Sequence, residues 1–106
     1  MTFDEYSKHV DSTRRYIGSR REAFEYVNTA FGGEVGEYLN EYKKHLREVG
    51  EHYHPPLGER RTNLLLELGD TLWYLSRIAA ELDSSLSEVA QMNVDKLRAR
   101  YGSVRV

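Results

Sequence analysis

The chain has 106 residues, enough for one domain and too few for a second. Its 40% hydrophobic and 30% charged content reads as globular, and a net charge of −2 argues against a binder of duplex nucleic acid. Cysteine is absent, which excludes disulfides, thiolate metal sites and a thiol nucleophile.

The opening "MTFDEYSKHV" is polar and lacks the apolar core of a signal peptide. No apolar run approaches the roughly 20 residues of a membrane span. A soluble, cytoplasmic protein is expected.

Both prolines sit together in "EHYHPPLGERR", and no segment sustains a period-2 alternation, so helical spacing dominates. The expected fold is all-α, with four helices in residues 1–102 and a short tail, "SVRV", over 103–106. The first helix is predicted to start at Thr2, with Glu5 completing a capping box, to carry Phe3, Tyr6, Val10 and Ile17, and to stop near Gly18. Ser19 with Glu22 opens a second, long segment to about Val49, whose apolar stripe is Phe24, Phe31, Val35, Leu39, Tyr42 and Leu46. Gly32, Gly33 and Gly36 interrupt it, each costing about 1 kcal/mol against alanine, so they mark a break or a close approach to the backbone. A loop follows from Gly50 to about Gly58, with His52 and His54, and is read as solvated or base-contacting. The third helix is expected over roughly Glu59 to Leu82, and the fourth from the cap pair Ser85 and Glu88 to about Tyr101, with Gly102 at C′.

At about 100° per residue, Glu34, Glu37 and Glu41 fall within roughly 60° of one another, beside the stripe of Phe31, Val35 and Tyr42. On the third helix Leu64, Leu68, Leu72, Leu75 and Ala79 form one apolar face, and Leu66, Trp73 and Ala80 a second. Glu67, Asp70 and Tyr74 occupy the strip between. A helix apolar on two sides points to self-association.

Surface carboxylates on amphipathic helices are the ordinary explanation for such acids. Solvated helix acids often have a basic residue three or four positions away, as Glu41 has Lys44, Glu81 has Arg77 and Asp95 has Arg98. Glu34, Glu37, Glu67 and Asp70 have none; each has another carboxylate there instead. Two like charges about 5 Å apart repel by roughly 3 kcal/mol at an effective dielectric near 20, so a cation from elsewhere is required. Carboxylate-only clusters suit hard ions, Mg²⁺ or Mn²⁺, and Mg²⁺ usually shares its coordination with substrate phosphates. Asn93 lies within the fourth helix's stripe of Leu86, Ala90, Val94, Leu97 and Tyr101, with Lys96 and Arg100 at its edge. A buried asparagine needs partners, either across a helix interface or on a nucleotide flanked by those cations.

The segments "GEVGEYLNEYKKHL", "ELGDTLWYL" and "SLSEVAQMNVDKLRARYG" resemble the small single-domain members of the MazG-like family, all-α nucleoside triphosphate pyrophosphohydrolases. Glu34 and Glu37 match the family's Glu-x-x-Glu, and Glu67 and Asp70 its Glu-x-x-Asp. The resemblance implies Mg²⁺-dependent cleavage between the α and β phosphates of a nucleoside triphosphate, giving a monophosphate and pyrophosphate. It also implies metal ligation by Glu34, Glu37, Glu67 and Asp70, with Glu34 or Glu37 as general base and Mn²⁺ able to substitute. Lys44, Lys96 and Arg100 become candidates for phosphate contacts, Asn93 for the sugar or base, and Trp73 and Tyr74 for the base pocket. A helical bundle completed in a homodimer or homotetramer is expected. Control of a deoxynucleotide pool, with dGTP or a pyrimidine dNTP as substrate, fits this resemblance. Two alternatives stand beside it: phosphoribosyl-ATP pyrophosphohydrolase, and a non-catalytic helical interaction module.

Overall fold

The computed structural model describes residues 1–102; the expected tail lies outside them. Four helices follow in chain order: α1 (Phe3–Thr13), α2 (Arg20–Val49), α3 (Gly58–Glu81) and α4 (Leu86–Tyr101). Two starts are complete capping boxes, Thr2 with Glu5 and Ser19 with Glu22. At α4 the box is half made: Ser85 accepts from the Glu88 amide, while the Glu88 carboxylate takes the Ser84 hydroxyl instead. Gly102 closes α4 in the left-handed region, φ +76°. Among the described residues no helix is long and apolar enough to cross a membrane.

α1 ends at Thr13 and does not reach Gly18. Thr13 Oγ1 turns back to the carbonyls of His9 and Val10, and Arg14 is already extended at ψ 129°. The chain leaves the helix so that Tyr16 can dock on α3, and Ile17, expected in the apolar stripe, is left 89% exposed. α2 runs unbroken through Gly32, Gly33 and Gly36, so no local break exists there. A Cβ at any of the three would meet nothing within 4 Å.

α2 and α3 form the main packed pair, and their contacts run antiparallel: Tyr26 meets Tyr74, Glu34 meets Glu67 and Asp70, and Glu41 meets Asn63 and Arg60. The face of α2 toward α3 therefore carries Ala23, Val27, Glu34, Glu41 and His45. The expected stripe flanks that face: Phe24, Phe31, Val35 and Tyr42 are half-buried, while Leu39 and Leu46 are exposed. His45 is fully buried, and its Nε2–H donates to the His54 carbonyl at 2.8 Å, tying the Pro-Pro loop to α2. Arg60 clasps Glu41 and Glu48 across the same end of the hairpin.

The core is small: Val10, Ala23, Val27, Leu64, Ala79 and Leu86 are its buried apolar residues. Beside it Arg77, nearly buried, donates to Tyr16, Asp11 and Glu81, while Tyr16 donates to Glu81 at 2.9 Å. That knot fixes α1 and the α1–α2 connection onto α3. The Cα radius of gyration is 16.9 Å, against about 13 Å for a compact chain of this length. The accessible surface is 8079 Å², against roughly 6,100 Å² by the usual size scaling. The excess is apolar in part: Leu65, Leu68, Gly69, Thr71, Leu72 and Leu75 line an open groove on α3, and Val89, Met92, Val94 and Leu97 are exposed on α4.

Replacing Arg77 by alanine would leave the largely buried Glu81 carboxylate without its counter-charge, with only the Tyr16 hydroxyl still donating to it. The expected loss of unfolding free energy is about 2–4 kcal/mol, whereas Asp11→Asn, at the exposed arm of the knot, should cost less than about 1 kcal/mol. Urea unfolding at fixed protein concentration checks both.

Candidate active site: three carboxylates beside an aromatic cavity

Between the apolar contacts at either end of the α2–α3 hairpin, the seam turns acidic. Glu34 from α2 and Glu67 and Asp70 from α3 each direct a carboxylate oxygen to one point, all within 4.8 Å of one another. Glu34 and Glu67 are half-buried and Asp70 exposed. None of the three has an ion pair among the described residues, as their spacing predicts. Burial raises the Glu34 carboxyl above its usual range, and the charges of Asp70, Glu67 and Glu37 add to the rise. Glu37 is thus close enough to be felt, although it lies exposed, outside the convergent three. Glu41 differs. The Asn63 amide first, then Arg60 and Lys44, hold its carboxyl low, so its charge is already committed within the chain.

A cavity of about 390 Å³ opens directly on this cluster, lined by Thr13, Arg15, Tyr16, Tyr26, Glu34, Asp70, Trp73 and Tyr74. Its walls are a continuous aromatic run. Tyr16 and Tyr26 have ring centroids 5.3 Å apart, Tyr26 and Tyr74 6.3 Å, and Tyr74 meets Trp73 edge-on at 4.8 Å. Trp73 Nε1–H donates to Thr13 Oγ1 at 2.9 Å, so the end of α1 braces the indole. The hydrogen bond with Tyr26, burial and the nearby acids push Tyr74 up to about 12, so its hydroxyl remains a donor across the physiological range. Tyr6 of α1 is shifted the same way, by burial and then by Asp70.

An all-oxygen donor set with no ion-paired lysine or arginine among the described residues suits a hard divalent cation such as Mg²⁺ or Mn²⁺. The flat aromatic walls offer π-faces to a planar ring, and the acids lie at the same opening. The pairing of the two chemistries in one cavity is what a metal-chelated nucleotide requires.

Of the other sequence-derived candidates, Trp73 and Tyr74 line the cavity, and Lys44 does not: it lies 3.7 Å from Glu41. Asn93, Lys96 and Arg100 sit on α4 with all of residues 91–100 exposed, away from the acids. Asn93, expected to be buried, has no hydrogen-bond partner among the described residues. Sequence reasoning missed Thr13, Arg15, Tyr16 and Tyr26. Tyr26 was within reach, since it lies eight residues before Glu34 and so shares its helix face. The other three depend on where the irregular segment after α1 runs, which no periodicity encodes.

Residues 23–104 match the family model described as the MazG nucleotide pyrophosphohydrolase domain. The chain is 40% identical over 104 residues to the gene 37 protein of Mycobacterium phage L5, an alignment covering 94% of this chain and 89% of that relative. No solved structure matches.

Because the Glu34 pKa is raised in the folded state, the native protein binds a proton more tightly there than the unfolded chain. The site therefore gains stability as pH falls through that raised value, and ionised Glu34 costs stability above it. Glu34→Gln should raise the melting temperature of the metal-free protein at neutral pH, with the gain vanishing toward about pH 4, where the wild-type carboxyl is itself protonated. Added Mg²⁺ should raise the wild-type melting temperature more than the variant's. Scanning calorimetry in EDTA and then in Mg²⁺ reads both effects.

Proposed function

Since the chain belongs to the MazG nucleotide pyrophosphohydrolase family, we propose that it cleaves the bond between the α and β phosphates of a nucleoside or deoxynucleoside triphosphate, releasing the monophosphate and pyrophosphate. The observation that carries this reading is the convergence of Glu34, Glu67 and Asp70 within 4.8 Å, without a basic partner, at the mouth of an aromatic cavity. Glu37, one turn from Glu34, is the fourth acid of the set. Divalent ions held by these residues, Mg²⁺ foremost, would neutralise phosphate charge and lower the pKa of a bound water.

The chain's own residues do the rest. Glu34, half-buried and facing Glu67 and Asp70, is the proposed acceptor of the proton from the attacking water, with Glu37, one turn away, as the alternative base. Trp73, Tyr74 and Tyr26 wall the base, and the Tyr74 hydroxyl donates to an acceptor on it or on the sugar. The substrate is proposed to be a dNTP, dGTP or a pyrimidine deoxynucleotide, and the role that of trimming a deoxynucleotide pool.

We further propose that the working form is a dimer or tetramer. The open leucine groove on α3, the exposed apolar residues of α4 and the bare backbone at Gly32, Gly33 and Gly36 together call for a second copy of the chain. Lys96, Arg100 and Asn93, remote from the acids within one chain, would be delivered to a neighbouring site in such an assembly.

Hydrolysis of the eight common NTPs and dNTPs, with phosphate detected after addition of inorganic pyrophosphatase, tests the reaction. Release should depend on both pyrophosphatase and Mg²⁺, and Asp70→Asn and Glu37→Gln should lower kcat by about 100-fold or more. Phosphate appearing without pyrophosphatase would contradict α–β cleavage. Silence with every nucleotide, phosphoribosyl-ATP included, would favour an interaction module. In sedimentation velocity the wild type should run as an oligomer, and Leu68→Glu, in the leucine groove, should shift it toward monomer.

A further inference from the structure

Metal held by the acids would answer part of a triphosphate's charge; within one chain, a cation of the protein's own can answer more of it. Several basic side chains of the first three helices are already committed. Arg77 serves Asp11, Tyr16 and Glu81; Arg20 pairs with Asp83, Arg21 with Glu25, and Lys44 with Glu41. Arg15 is the one basic residue in the cavity lining. Its guanidinium is steadied from one nitrogen only: Nη1 donates to the Arg14 carbonyl at 3.1 Å and to the Ser12 carbonyl at 3.5 Å. Among the described residues it meets no carboxylate, and Nε and Nη2 have no partner. Its neighbour Arg14 lies with its guanidinium 4.4 Å over the Tyr16 ring and likewise has no ion pair there. Arg15 thus brings to the cavity a positive charge that no carboxylate of the described residues answers.

We propose that Arg15 is the phosphate-binding cation of the site, gripping non-bridging oxygens of the substrate's phosphate chain through its free nitrogens while the acids hold the same chain through metal. This rests on the pyrophosphohydrolase reading above. Charge selects phosphate over the base: a guanidinium with no carboxylate partner matches a multiply charged anion better than the neutral edge of a ring. A forked, planar donor also suits two oxygens of a phosphoryl group. Arg15 lies before the residues matched by the family model, in the segment that leaves α1 early to bring Tyr16 onto α3. The early end of that helix thus supplies the cavity with a brace for Trp73, an aromatic wall and a cation.

Two measurements test this on the full chain. In calorimetric titration with inorganic pyrophosphate in Mg²⁺ buffer, Arg15→Ala should bind at least about tenfold more weakly than wild type, and Arg15→Lys should recover part of the loss. Trp73 is the sole tryptophan and lines the cavity, so a fluorescence change on titration locates the binding there. The melting temperature should not move, since Arg15 is exposed and bonds only to its own turn. In hydrolysis, kcat/KM of Arg15→Ala should fall about 10- to 100-fold by the same factor for every base accepted. Equal pyrophosphate affinity in wild type and Arg15→Ala, or no binding by wild type, overturns the proposal. So does a loss confined to one base, which would make Arg15 a reader of the base. If no nucleotide is hydrolysed, the pyrophosphate titration still decides the role of Arg15.

Discussion

The structure turns on a seam that is acidic where a helical hairpin would ordinarily be greasy. α2 meets α3 through Ala23 and Val27 at one end and His45 at the other, and between them stand Glu34 and Glu41. Glu41 is neutralised inside the chain by Asn63 and Arg60, a structural solution that closes one end of the hairpin. Glu34 meets two more acids instead. The same seam thus contains a satisfied carboxylate and an unsatisfied cluster, two turns apart. That contrast separates packing from function more sharply than the presence of acids alone.

The cost of that seam is visible elsewhere. A chain that spends its central helix contacts on carboxylates has little apolar surface left between those helices, and the buried apolar set is six residues. Stability is recovered through polar fastenings: the Arg77 knot, the Arg60 clasp and the bond from His45 to the His54 carbonyl. The leucines that the hairpin does not use face outward on α3 and α4. Their exposure and the acidic seam are two sides of one arrangement.

Much of this was legible in the sequence. Four helices, two capping boxes, the loop around the prolines and the terminal glycine cap follow from local chemistry, and helix ends agree within a residue or so except at α1. The four acids stood out because no basic residue lies a turn away, and three of them converge in space. Which apolar stripe faces inward was not legible. On α2 the hydrophobic residues from Phe24 to Leu46 look like a core face, yet the hairpin centres on the face of Ala23, Val27, Glu34 and His45, where Asn63 and Arg60 of α3 meet Glu41, and the stripe lies at its flank. Periodicity finds an apolar face but cannot say whether the same chain or another covers it. Asn93 was misplaced for that reason, being buried only if something covers α4. Arg15 and Tyr16 were invisible because they follow a helix end set by Thr13 turning back on its own carbonyls.

Asp70, Trp73 and Tyr74 sit on consecutive turns of one unbroken helix. With a rise of about 1.5 Å per residue, the acid and the aromatic wall are separated along the axis by roughly 4.5–6 Å, a spacing fixed by backbone hydrogen bonds rather than by side-chain choice. α3 is therefore a gauge. The acid and the aromatic wall are carried on one rigid rod, so no loop motion changes their spacing along it.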